Sequence, residues 1–379
     1  MQSFSLGVEL MNRRQFIRYS GGALVMAGGA SLLYSLRQLE IRKREMASVF
    51  AAGLEGGLAE VLYLAALAPS GHNTQPWTVT VITSRHWLIG TDSSRWLPAV
   101  DPQNREMMIS LGAFLENLAA AARSQGYEAE IQILAQSTTD QVIAAVKLYK
   151  RSDADPSLIR QIQLRRTVRS NFLPQKIADE DRQWIALGET DNNLYYASGS
   201  QESRSLAEAT VLANEIQVYR DAAQAELAGW IRWTNQECRK YGNGLTPETM
   251  EIEGVARWYV KNFYTYQSVL TKEFREATIQ RVNEQVKAGG GWLVLTSKDV
   301  TVAELIRTGR NLQRIWLKLR ERNLALHPMT QSLEEAVTAE TLPAALGITS
   351  NIQLVLRIGY VSHYPDPVSP RMSLQSIII

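Results

Sequence analysis

The chain has 379 residues, 45% of them apolar and 21% charged, which at roughly 150 residues per domain predicts a globular protein of two or three domains. Forty basic against 38 acidic residues leave a net charge of +2, so no polyanion-binding field and no nucleic-acid partner are implied. One cysteine, Cys238, excludes an internal disulfide and a multi-thiolate metal site, and the four scattered histidines show no metal-binding spacing.

In chain order, Arg13-Arg14-Gln-Phe-Ile17 precedes a charge-free, glycine-rich run from Tyr19 to Leu36. The pair followed by Phe16 and Ile17 resembles a twin-arginine export signal, with residues 1–45 as signal or uncleaved membrane anchor. That resemblance implies a periplasmic or membrane-anchored, periplasm-facing protein. A helix over Leu54–Leu67 stops at Pro69. Strands follow at Pro76–Thr83 and His86–Gly90, then a long helix from Asn104 to Gln125 closed by Gly126. Ala129–Leu134 and Val142–Tyr149 read as strands. A helix over Leu158–Arg166 opens the second half, in which Trp292–Thr296, Val302–Arg322 and Ile352–Gly359 repeat strand, long helix and strand. The two long helices look alike, each with a glycine near its start, Gly112 and Gly309, where another backbone or a flat ring can approach closely. Residues 202–285 carry no strand signal and are rich in aromatics, among them Trp230, Trp233, Trp258, Tyr259, Phe263, Tyr264 and Tyr266. These form either a helical core layer or a lid over a flat ligand.

Two segments are chemically loaded. In Ala68-Pro-Ser-Gly-His-Asn-Thr-Gln-Pro-Trp77, a polar loop between helix and strand can aim Ser70, Asn73 and Gln75 at one small ligand. In Leu164-Arg-Arg-Thr-Val-Arg169, Arg165, Arg166 and Arg169 form either a solvated basic patch or a multidentate phosphate cradle.

The first segment resembles the Pro-Ser-x-x-Asn-x-Gln-Pro-Trp motif of the FMN-dependent nitroreductase superfamily, and the second resembles that family's phosphate-gripping arginine motif. Ser369-Pro-Arg-Met-Ser-Leu374 resembles the family's terminal arginine segment, with Met372 where a second basic residue is common. The resemblance implies FMN as cofactor, held by Pro69, Ser70, Asn73, Gln75, Arg165, Arg166, Arg169 and Arg371. No catalytic side chain is required, because the flavin carries the chemistry, and no metal is expected. In ordinary nitroreductases the arginine motif comes first, and each FMN sits between two subunits. Here the order is reversed and each motif occurs once. Together with Gly309-Arg-Asn-Leu-Gln-Arg314 and Pro328-Met-Thr-Gln331, this resembles the Acg-type branch. It implies an α+β pseudo-dimer: a first half over 46–155, and a second over 156–379 with a helical insertion at about 202–285. One FMN per chain and a monomer follow.

The implied activity is reduction of nitroaromatic- or quinone-like small molecules. The alternatives are an FMN-binding or sequestering protein with little turnover, and an interaction module that has lost the flavin. With export, a membrane quinol or a periplasmic carrier is favoured over NAD(P)H as donor.

Overall fold

The computed structural model describes residue 54 and residues 56–186 and 192–379. The twin-arginine segment and the apolar run after it lie outside these residues. Among the described residues no helix is long and apolar enough to cross a membrane.

The chain forms an α+β fold of two similar halves. After α1 (Gly56–Ala65) come β1 (Trp77–Thr83), β2 (His86–Thr91), α2 (Arg105–Ser124), β3 (Tyr127–Ile133) and β4 (Val142–Lys150). They make a four-stranded antiparallel sheet in the order β1-β2-β4-β3. Helices α3 (Ser157–Leu164) and α4 (Asp179–Ala186) lead into the second half. There β5 (Asn193–Ala197), β6 (Gly291–Ser297), α11 (Val302–Leu319), β7 (Leu324–Pro328) and β8 (Asn351–Tyr360) repeat the plan, with order β5-β6-β8-β7. The difference lies between the first two strands. Ser84 and Arg85 join β1 to β2, whereas residues 198–290 join β5 to β6. That insertion carries α5 (Gln201–Tyr219), α6 (Asp221–Trp230), α7 (Asn235–Tyr241), α8 (Gly254–Phe263), α9 (Tyr266–Leu270) and α10 (Lys272–Gln285). Two further helices, α12 (Gln331–Glu334) and α13 (Ala336–Leu346), precede β8.

The long-helix resemblance has a packing cause. Helices α2 and α11 cross at Gly112 and Gly309. A Cβ on Gly309 would lie 2.0 Å from the Ile109 carbonyl oxygen, and one on Gly112 would lie 2.2 Å from that of Ile306. Only hydrogen fits at either position, so the two backbones touch and both apolar faces are buried. Polar side chains lock the crossing. Arg310 and Arg314 pair with Glu116 at 2.9 Å each, and Gln313 donates to Asn117 Oδ1 at 2.6 Å. Burial works against the Glu116 charge, but the two guanidiniums hold its carboxyl below its ordinary range. Four residues of the Gly309–Arg314 segment thus join the two halves.

The chain's end completes the first half rather than the second. Val79 N–H donates to Ile377 O at 2.7 Å, and Ile379 N–H donates to Val79 O at 3.0 Å. The tail adds a parallel bridge to β1, with Leu374 and Ile377 buried. Residues 368–372 are therefore drawn across the junction of the halves.

The aromatic insertion has its own core. Trp233 packs edge-on to Tyr264 at 5.1 Å and to Phe274 at 6.4 Å, beside Ile231, Val260 and Val269. These three rings pack on one another, whereas Tyr259, Phe263 and Tyr266 are exposed. The insertion reaches the rest of the molecule's polar junction through residues 242–251 instead.

Candidate functional site

Three segments far apart in sequence meet at this junction. The loop after α1 supplies Pro69, Ser70 and Asn73. The strip after α3 supplies Arg165, Arg166, Thr167 and Arg169. The tail supplies Val368, Ser369 and Arg371, and the insertion adds Thr249. They line one cleft of about 60 Å³, partly open to solvent. Of the eight residues singled out from the sequence, seven are at its wall.

Gln75 is the exception. It is fully buried behind the wall, donating from Nε2 to Gly242 O at 2.9 Å and accepting at Oε1 from Met372 N–H at 3.0 Å. Its amide ties the loop to the insertion and the tail, so its part in the site is positional.

The loop is held in an unusual shape. His72, Asn73 and Gln75 have φ of 43°, 55° and 53°, a left-handed region that costs non-glycine residues of order 1–3 kcal/mol each. Such a shape persists because its surroundings over-determine it. Asn73 Nδ2 donates to Gly244 O at 3.0 Å and to Pro370 O at 3.1 Å, while Gly244 N–H donates back to Asn73 O at 3.0 Å. Gln75 N–H donates to Ser70 Oγ at 2.9 Å, and Arg95 Nη1 donates to Gln75 O at 2.6 Å. The insertion can approach this closely because residue 242 is glycine, where a Cβ would meet Arg371 O at 2.8 Å. His72 is pushed down to about 4 by burial and the nearby Arg169 guanidinium, so the ring is neutral at pH 7, and its buried Nδ1 has no partner among the described residues.

The arginine strip is fixed by the residue between its arginines. Val168 is fully buried with Ala325 and Val361, and its N–H donates to Leu326 O at 3.2 Å on β7. Arg165, buried, donates from Nη2 to Leu67 O at 2.8 Å and lies 5.0 Å over the Trp316 ring. Its Nε is buried without a partner among the described residues, and burial pushes the guanidinium down to about 10. Arg166 donates to Asp366 O and pairs with Glu251 at 3.3 Å. Arg169 donates from Nη1 to Thr249 O at 3.0 Å, and burial lowers it as well. Arg371 donates to Asn73 Oδ1, and to Leu67 O at 3.0 Å. Leu67 O thus joins the loop, the strip and the tail.

A second layer backs the strip. Arg357, only 2% exposed, donates to Arg169 O at 2.7 Å, approaches His327 Nδ1 at 3.1 Å and stacks 4.2 Å over Phe172. Burial and the two neighbouring arginines, Arg357 and Arg169, hold His327 well below its ordinary range, so its ring is neutral and Nδ1 can accept. Glu251, His72, Arg357, Thr249 and Thr167 were not legible as site residues. Glu251 and Thr249 lie within a helical insertion and Arg357 on a core strand, with no local signal in either place.

Among the described residues, Arg165, Arg166 and Arg169 together have one contacting carboxylate, Glu251. Buried guanidiniums that spend their donors on backbone carbonyls, one with an orphaned Nε, leave the cleft short of negative charge. Planar guanidinium forks in such a setting suit a phosphate. Among the described residues, no group of three or more His, Cys, Asp or Glu side chains could hold a metal.

Fold and site together describe a two-half α+β protein with an arginine-walled cleft at the junction of its halves. No family model matches the chain. It is 24% identical over 344 residues to a protein of Serratia sp. (strain ATCC 39006) named provisionally as the NAD(P)H nitroreductase PigM, covering 86% of this chain and 93% of that protein. The protein named acg from Mycobacterium tuberculosis (strain ATCC 25618 / H37Rv), also provisionally named an NAD(P)H nitroreductase, is 24% identical over 334 residues, covering 84% and 94%. Among solved structures, the FMN and NADPH-dependent nitroreductase NfnB from sphigopyxis sp. strain HMH matches with a TM-score of 0.37 at 14% identity, covering 58% of this chain and 96% of that one.

Proposed function

We propose that the protein is an FMN-dependent oxidoreductase of nitroreductase type, with a single flavin per chain and no second subunit needed to complete the site. The observation that carries this is the convergence of Pro69, Ser70, Asn73, Arg165, Arg166, Arg169 and Arg371 on one cleft deficient in negative charge. Full-length relatives with nitroreductase names support it.

The residues fit the cofactor's polar end. Arg165, Arg169 and Arg371 would receive the phosphate dianion, and Arg165 Nε offers a buried donor that has no other partner among the described residues. Ser70 and Asn73, fixed by the strained loop, would face the rest of the cofactor. FMN, once bound, supplies hydride and electron transfer, so the chain's own residues bind, orient and exclude water. Gln75, Arg95 and Arg357 hold the binding loop and strip in place. Neutral His72 adds no charge of its own beside Arg169.

Nitroaromatic- and quinone-like molecules are the proposed acceptors. For the donor, the relatives' names point to NAD(P)H, whereas the quinol or carrier expected from the sequence depends on export. NAD(P)H is therefore the donor to test first. Export by Arg13-Arg14 belongs to this proposal and is checked by fractionating cells that express the Arg13→Lys/Arg14→Lys variant. The deciding experiment for the whole reading is anaerobic stopped-flow of the purified protein. Bleaching of a bound flavin by NADPH and its return with a quinone or nitroaromatic support an oxidoreductase. A flavin that neither reagent turns over supports a sequestering protein instead.

A further inference from the structure

Glu251 reaches the arginine strip from the insertion, more than eighty positions away in sequence. Its Oε1 accepts from Arg169 N–H at 3.0 Å and from Arg166 Nη2 at 3.3 Å, and its Oε2 accepts from Ser170 Oγ. The side chain is 4% exposed. Its backbone is left-handed, with φ of 57°, in a turn closed by Ile252 N–H to Pro247 O at 2.9 Å. The chain thus accepts local strain to deliver this carboxylate. The other acid of the turn, Glu248, is spent on Lys261 at 2.5 Å.

A backbone N–H, a hydroxyl and a guanidinium form the donor set that phosphates commonly take in proteins. Here a carboxylate of the protein takes it, and both arginines it touches also line the cleft. We propose that Glu251 is a built-in competing anion, which neutralises part of the arginine cradle while no phosphate is bound and lowers the cleft's affinity for a phosphate monoester. This rests on the flavin reading above for the identity of the phosphate, not for the competition itself. Two consequences follow. A dianion entering the cleft meets a like charge in poorly solvated surroundings, which disfavours it. Because Glu251 also docks the insertion, phosphate occupancy and docking of residues 246–251 are linked.

The test uses Glu251→Gln, which keeps the shape and an acceptor for Arg169 N–H but removes the charge. The full chain, stripped of flavin, is titrated calorimetrically with FMN, riboflavin and inorganic phosphate. Expected is roughly fivefold or more tighter binding of FMN and of phosphate, with riboflavin unchanged, in line with the modest end of like-charge effects at close range. Weaker or unchanged binding of both anions would overturn the proposal and make Glu251 a support for Arg166. Should that variant fail to fold, Glu251→Asn removes the charge with a residue that tolerates the left-handed backbone, and the same tightening is expected. A loss of affinity there overturns the idea equally. If the wild-type protein binds phosphate but not FMN, the flavin reading falls while the phosphate arm still decides the competition. If it binds neither, both fall.

Discussion

Arg165→Met separates a binding guanidinium from a structural one, because the two roles predict opposite signs. Arg165 is 7% exposed, with no contacting carboxylate among the described residues, and burial pushes it down to about 10. At 1.36 kcal/mol per pKa unit, that burial disfavours the charged form by roughly 3 kcal/mol. Set against it are the hydrogen bond to Leu67 O, worth about 1.5–3 kcal/mol for a charged donor, and stacking on Trp316, worth about 1–2 kcal/mol when desolvated. These terms nearly cancel, and methionine fills similar space without a charge to bury. The flavin-free variant should therefore melt within a few degrees of wild type, or slightly above it. FMN affinity should fall by roughly tenfold or more, since one charged phosphate contact is lost. The assay is paired: thermal melts of the stripped protein, and fluorescence titration with FMN. A variant that loses several kcal/mol of stability yet binds FMN like wild type would refute the reasoning and assign Arg165 to the scaffold.

Other outcomes follow from the same geometry. Gly309→Ala puts a methyl 2.0 Å from the Ile109 carbonyl oxygen, so it should cost at least about 3 kcal/mol, at the upper end of overpacking penalties, and lower the melting midpoint. Gly229→Ala, with nothing within 4 Å, should not. Asn73→Ala removes the donor shared by Gly244 O and Pro370 O and the acceptor for Arg371. It should weaken flavin retention and alter the bound flavin's absorbance spectrum. His72 is held neutral down to about 4, whereas an unfolded histidine takes its proton near 6.5. The unfolded chain thus binds more protons between those values, and stability is lost as pH falls from about 6.5 toward 4. Asp101, raised to about 7 by burial and then by Glu106, works in the opposite direction. The comparison must therefore be with His72→Asn, which tolerates the left-handed backbone. The wild type should lose stability relative to that variant by up to roughly 3 kcal/mol near pH 4, read from denaturant melts across pH.

Much of the site could be read from sequence because its chemistry is concentrated in short runs. Pro69 to Trp77, Arg165 to Arg169 and Arg371 are each dense in polar or charged groups that a core has no use for. Gly112 and Gly309 were visible for the same reason, as breaks in otherwise good helices. What stayed hidden depends on contacts across long separations. Strand β5 is five residues long, half-buried at every position, and cut off from its partner β6 by the whole insertion, so no alternation marks it. Strand β7 is almost wholly buried and too short to tell from the end of α11. Gln75 looks like any ligand-facing amide until the tail and Gly242 are brought against it. The aromatics of 230–266 suit a lid as well as a core: Trp233, Tyr264 and Phe274 pack on one another, whereas Tyr259, Phe263 and Tyr266 are exposed.

The central claim is that one phosphate-bearing flavin sits in the arginine-walled cleft of each chain. Its most direct test is the flavin-to-protein ratio of the purified protein, read from absorbance and released-cofactor chromatography alongside molar mass by light scattering. The account predicts one FMN per monomeric chain, lost on dialysis of an Arg165→Met/Arg169→Ala double variant. A colourless wild-type protein that takes up no FMN, or a double variant that keeps its full complement, would contradict it.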